Sequence, residues 1–307
     1  MTIIAHLSDL HILSLEGVSP LRFLNKRLTG YANLRLKRKH IHRPSYVRAI
    51  AREIQRVGVD HVVITGDLTN LALEGEFEAA RKLLEDDLGL DPKNVSIVPG
   101  NHDLYTRGAM TSQRFSTYFA DYLVSDLPER AVDVGVGRFP FVKLRGPAAI
   151  IGLSSAVPRL PFVAAGRLGT KQIAALGDVL RHPEVKKRTP IVLLHHPAHN
   201  PLSRVKSALE GLSDAALLWT GMRDLARGMV LHGHLHRRIQ RAIPTTAGRL
   251  SAVGATSASL HHAEHGRMAG FNLYEIDDND GEITQIEAHV FDPAKKSFGI
   301  ESVPKLV

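Results

Sequence analysis

The chain has 307 residues, 44% hydrophobic and 23% charged, which excludes a disordered, collagen-like or coiled-coil protein and allows a large core. It contains no cysteine, so disulfides, zinc–thiolate sites, iron–sulfur clusters and cysteine nucleophiles are ruled out. The net charge of +8 is local: between Gly17 and Arg52 there is no acidic residue but ten lysines and arginines, so the remainder is nearly neutral. A nucleic-acid binder basic over its whole surface does not fit that distribution, and nucleic acid is not an expected partner.

Residues 3–7 (IIAHL) read as a first strand, and residues 14–43 as an irregular basic insertion. Pro44-Ser45 opens a helix with Val47, Ile50, Ala51, Ile54 and Val57 at helical spacing, and Gly58 stops it. Residues 61–65 (HVVIT) form a buried-type strand ending in Gly66-Asp67, and 74–87 an amphipathic helix. A third strand over 95–98 ends in Gly100-Asn101-His102-Asp103, and 111–123 suggest another helix. Strand-like runs follow at 139–144 and 148–153, and Thr170 reads as the N-cap of a helix to about residue 181. Strand 191–194 leads into His195-His196-Pro197, and strand 229–231 into His232-Gly233-His234-Leu235-His236. Further strands are expected near 238–243, 250–255 and 271–276, with Asn279-Asp280-Gly281 as a hairpin turn into 282–291. No repeat or linker divides the chain, so 1–307 reads as one α/β domain with helices covering sheet. Asp9 and His11 interrupt the first apolar run, and no stretch approaches about 18 apolar residues. A signal peptide and a membrane span are therefore not expected, and a cytoplasmic protein is.

Five short clusters follow the carboxyl ends of strands: Asp9-x-His11, Gly66-Asp67, Gly100-Asn101-His102-Asp103, His195-His196-Pro197 and Gly233-His234-Leu235-His236. Open α/β sheets build their sites outside those ends, so five strand ends can converge on one cleft. Each cluster has a plainer reading as a turn or a loop histidine. Together they supply imidazole, carboxylate and one amide without sulfur, a donor set for Mn, Fe or Zn.

In this order the clusters resemble the calcineurin-like binuclear metallophosphoesterases, over residues 9–236 and with every motif position filled. Within that superfamily the size and the H-H-P form are most similar to bacterial class III cyclic-nucleotide phosphodiesterases and their glycerophosphodiesterase relatives. The resemblance implies a four-layer α/β/β/α sandwich, a two-sheet β core flanked by helices. It implies that Asp9, His11 and His236 hold one metal ion, Asn101, His195 and His234 a second, and that Asp67 bridges them. A bridging carboxylate holds two cations about 3.5–4 Å apart, and a water between them becomes a hydroxide nucleophile. Asn101 and His102 are the implied substrate contacts, with His102 protonating the leaving oxygen. Asp103 would either orient the His102 imidazole or cap the helix that follows. His195 is preferred to His196 as ligand because it stands two residues before the proline, which leaves His196 to support the ligands or to contact substrate. His232 is read as packed in the sheet, and His199, His261, His262 and His265 as loop residues.

The implied activity is metal-dependent hydrolysis of a small phosphodiester, a cyclic nucleotide among the expected substrates. The alternatives are a peripheral-membrane phosphohydrolase acting on a lipid phosphate or lipid diphosphate headgroup, and a catalytically silent metal-binding scaffold, against which the complete ligand set counts. The insertion bears on the first alternative. Leu21, Phe23, Leu24, Leu28, Tyr31, Leu34 and Leu36 alternate with its basic residues. It reads as a loop packing its leucines on the body, a cationic lid that steers anions, or an anionic-membrane patch formed by residues 20–43.

Overall fold

The first strand, β1 (Thr2–Leu7), is buried along nearly its whole length, which requires partners on both edges and both faces. It pairs in parallel with β2 (His61–Ile64), which pairs in parallel with β3 (Val95–Ile97). The computed structural model describes residues 1–23, 27–28, 41–159, 163–199 and 204–306. Helix α1 (Pro44–Val57) connects β1 to β2, with proline in its first turn and Gly58 closing it at φ 76°. Helix α2 (Glu74–Lys82) connects β2 to β3 and passes into a wider turn at Leu83–Leu88.

The chain's C-terminal strands return to this sheet. β12 (Gly270–Ile276) pairs antiparallel with β1, then β13 (Ile283–Asp292) and β14 (Ser297–Ser302) follow outward. A two-stranded ribbon is formed by β4 (Val132–Asp133) and β5 (Arg138–Phe139). The second sheet is made of β6 (Phe141–Arg145), β7 (Ala148–Gly152), β8 (Thr189–Leu193), β9 (Met229–His232), β10 (Ile239–Pro244) and β11 (Arg249–Gly254), in the order β10-β11-β9-β8-β7-β6. β7, β8, β9 and β11 are mutually parallel, so their carboxyl ends lie on one side.

Alternation along the strands builds the layers. Ile191 and Leu193 of β8 face the core shared with Ile4 and Val63, whereas Val192 and its neighbour Leu194 face outward. There they meet Leu176, Val179 and Leu180 of α3 (Thr170–Arg181), and Leu218 and Met222 of α4 (Ala215–Met222). Two sheets back to back between helices make the expected four-layer α/β arrangement.

Local expectations needed correction. The helix over 111–123 is a series of short turns, Arg107–Thr111, Arg114–Tyr118 and Ala120–Leu123, because Gln113 stands at φ 49° and breaks the run. Thr170 is the first helical residue rather than a cap, and Gly169 precedes it. The Asp214 carboxylate accepts from the Leu168 and Gly169 amides there.

The insertion is docked where it is described. Arg22 makes a two-pronged ion pair with Glu74 at 2.8 and 2.9 Å. Arg27 is buried and donates to the carbonyls of Leu71 and Ala72 at 2.8 and 3.1 Å. Tyr31, Leu34, Leu36 and the Arg35–Lys39 run lie outside the described residues.

Candidate metal centre

All five clusters meet at the carboxyl ends of β1, β2, β3, β8 and β9. The Asp9 and His11 amides donate to the Gly66 and Asp67 carbonyls at 2.9 and 3.0 Å, and the Gly233 amide to the His195 carbonyl at 3.1 Å. The backbone is strained where the side chains converge. Asp9, His11, Asp67, His234 and His236 all sit at positive φ between 48° and 69°, which non-glycine residues adopt only when their surroundings impose it. The glycines of two motifs are explained by close approach. A Cβ on Gly100 would strike the Asp67 carboxylate, and one on Gly233 would strike Ser8 Oγ and Asp9 Oδ2.

Two groups of donor atoms result. In the first, Asp9 Oδ1 lies 3.1 Å from His236 Nε2 and 3.8 Å from His11 Nε2, and those two nitrogens face each other at 3.2 Å. In the second, His195 Nε2 lies 3.1 Å from Asn101 Oδ1, 3.2 Å from His234 Nδ1 and 3.4 Å from Asp67 Oδ2. Nitrogen and oxygen donors aimed at one point, with few protons to share among them, suit a cation better than one another. Asp67 also accepts from the His102 amide at 2.7 Å through Oδ1, so its two oxygens face different neighbours. The surrounding bonds fix the rings. His195 Nδ1 sits 2.7 Å from the Thr65 carbonyl, which turns Nε2 inward, and Thr65 Oγ1 is itself held by buried His6.

His102 Nδ1 lies 2.6 Å from the Asn70 carbonyl, and Asn70 Nδ2 donates to the His11 carbonyl at 2.6 Å. Asn70 therefore orients the His102 ring, and Asp103 does not. The Asp103 carboxylate is fully buried and accepts from the amides of Gly100, Leu68 and Thr69 and from Thr69 Oγ1, at 2.9 to 3.3 Å. It ties the Asp67 loop to the Asn101 loop, which corrects both sequence readings of Asp103. Burial and the neighbouring Asp67 push it up to about 7, against the pull of those amides. Asp103→Asn turns an NH₂ toward N–H donors, and is expected to cost about 2–4 kcal/mol in urea denaturation.

His196 is also corrected as a substrate contact. It is fully buried, bonds Ser155 Oγ at 2.9 Å, and packs beneath His234 with ring centroids 4.8 Å apart. His232 is buried in β9 as expected.

No motif in the sequence points to His42. The ring of this insertion residue lies edge-on to His11 at 4.7 Å and to His236 at 5.8 Å. Nor does one point to Asn70 or Thr65, which act through backbone carbonyls and so carry no side-chain signal.

A cavity of about 510 Å³ opens on the donor groups: Asp67, Asn101, His234 and His236 line it together with His102, Lys206, Glu210, Arg237 and Arg267. Arg267 has no side-chain hydrogen bond or ion pair among the described residues, and its Nε is buried. The lining favours an anion. Two larger cavities, about 620 and 590 Å³, lie elsewhere and contain none of these histidines.

The electrostatics bear on loading. Burial opposes charge on Asp9 and Asp67, yet neighbouring imidazoles hold both below the ordinary carboxylate range. Burial likewise opposes a proton on His195, but Asp67 outweighs it and raises His195 to about 9. A ligand must lose that proton to bind a cation. Mn²⁺ affinity of the metal-free protein is therefore expected to rise about tenfold per pH unit from pH 7 toward 9 and then level off, as titration calorimetry at stepped pH would show.

The sequence profile of the calcineurin-like phosphoesterase family matches residues 2–238. No curated protein sequence matches the chain significantly. Among solved structures, a dimetal phosphatase from Danio rerio is similar over 98% of this chain and 99% of its own, at 13% identity and a TM-score of 0.59. A purple acid phosphatase from yellow lupin (Lupinus luteus) is similar over 96% of this chain and 55% of its own, at 11% identity and a TM-score of 0.56. At such identities the likeness is one of fold.

Proposed function

The chain belongs to the calcineurin-like phosphoesterase family, and from that premise we propose that it hydrolyses a small phosphodiester at a two-metal centre formed by the converging strand ends. The observation that carries the reading is the pair of donor groups, Asp9–His11–His236 and Asn101–His195–His234, with Asp67 between them. Two cations held there would activate a water and neutralise the phosphoryl oxygens. The chain's own residues do the rest. Asp67 Oδ1 accepts from the His102 amide, and so sets the loop that aims the His102 ring at the cavity. With its Nδ1–H on the Asn70 carbonyl, His102 presents Nε2 to the leaving oxygen, and as an imidazolium it gives the Nε2 proton to that oxygen and is left neutral. Lys206, Arg237 and Arg267, which line the same cavity, offset the substrate's charge.

The test is turnover of bis(p-nitrophenyl) phosphate, p-nitrophenyl phosphate, 3′,5′-cyclic nucleotides and a lipid diphosphate by protein reconstituted with Mn²⁺, Fe²⁺ or Zn²⁺. Diester hydrolysis that exceeds monoester hydrolysis and disappears in Asn101→Ala supports the reading. Metal-loaded protein that turns over none of these substrates contradicts it.

A second reading rests on the insertion. Leu21 and Leu28 are 73% and 56% exposed beside Arg22 and Arg27, which are engaged with the body. Exposed apolar side chains beside basic residues in sequence suit contact with an anionic lipid surface. Among the described residues no helix is long and apolar enough to cross a membrane. Sedimentation with phosphatidylglycerol vesicles at low salt, lost in Leu21→Ser/Leu28→Ser, would favour a lipid phosphate or diphosphate; no sedimentation would remove this reading.

A further inference from the structure

We propose that His42, on the returning leg of the basic insertion, is a further imidazole ligand at the Asp9–His11–His236 position, so that the insertion completes the metal centre. The proposal rests on the two-metal reading above. Ring nitrogens of His11, His42 and His236 all lie within 4.8 Å of one another. Three nitrogens bound to one ion at about 2.1 Å each lie about 3.0–3.6 Å from one another, so ring movements of about an ångström bring all three onto one cation. The rings of His11 and His236 meet His42 edge-on, at interplanar angles of 71° and 85°.

The support around His42 resembles that of a ligand rather than of a passing loop residue. Its backbone makes a bridge with Leu260, and hydrogen bonds clamp both sides, Arg43 to Ser259 at 2.8 Å and His261 to Ile41 at 2.6 Å. Ser259 Oγ lies 2.7 Å from His42 Nδ1 and sets the rotation of the ring. Ser257 Oγ, 3.2 Å from Ser259 Oγ, donates to the Asp9 carbonyl at 2.6 Å. One pair of serines thus positions both Asp9 and His42, and bonds of this kind to a ligand set how tightly an ion is held.

The experiment is Mn²⁺ titration of metal-free wild type, His42→Ala and His42→Phe by calorimetry, with visible spectra of the Co²⁺-loaded forms. His42→Phe keeps a ring to pack against His11 and His236 but has no nitrogen, and serves if His42→Ala does not fold. We expect two Mn²⁺ sites in wild type. In the variants we expect one of them to be weakened about 10- to 100-fold, with an altered Co²⁺ band, and the other to change by less than about twofold. A His42→Phe protein that keeps both affinities and the wild-type spectrum overturns the proposal and leaves His42 a packing residue. A wild type that binds fewer than two ions overturns the two-metal reading itself, whatever the variants do.

Discussion

Asp67→Asn is expected to lower kcat/KM for a diester by about 10⁴-fold while leaving the fold intact. In the proposed centre Asp67 is the carboxylate common to both metal positions. Its donor atom groups with those of His11 and His102 and also with those of Asp9 and His195. An asparagine can keep the 2.7 Å bond from the His102 amide, since that bond needs only a carbonyl oxygen. It cannot supply the charge that would hold two cations together or that raises His195. The substitution should therefore also reduce bound metal from two ions to one or none, read by elemental analysis after desalting. Loss of turnover with full metal content would place Asp67 outside the bridge. A fall of less than tenfold would refute its central role.

His102→Ala is expected to act selectively on the leaving group. For an alkoxide, such as the 3′ oxygen of a cyclic nucleotide, kcat should fall about 10²- to 10⁴-fold, the usual worth of a positioned general acid. For p-nitrophenolate, which departs without a proton, the loss should be under about tenfold. The geometry that supports this is the 2.6 Å contact from His102 Nδ1 to the Asn70 carbonyl, which fixes which nitrogen faces the cavity. The rings of His11 and His102 also meet edge-on at 5.0 Å, so His102 stands beside one donor of the proposed first metal position. Equal losses on both leaving groups would recast His102 as a phosphate contact with no proton to give.

The strand-end clusters could be read from the chain because their information is local. A short continuous apolar run ends, and the glycine, carboxylate and imidazole that follow occupy adjacent positions, as in Gly66-Asp67 and Gly233-His234-Leu235-His236. The order of the clusters then carried the family resemblance, and with it the layered fold. Asp103 shows where such reading stops. Adjacency suggested a service to His102, yet the carboxylate turns the other way, because four donors from two different loops await it there. Residues 111–123 show the same limit, since apolar spacing suggested one helix and Gln113 in the left-handed region divides it.

His42 marks the widest gap between sequence and structure. It stands 217 positions from Ser259, whose hydroxyl orients it, and no pattern in a basic, irregular stretch sets it apart from its neighbours. The same holds for the carbonyls of Thr65 and Asn70, which orient His195 and His102. Every residue has a carbonyl, so composition cannot say which one will be used. Residue type and spacing determine which side chains stand at the ends of strands. Which ends meet, and which common backbone groups aim the rings, follows from the packing of two sheets, where contact is set by position in space rather than by distance along the chain.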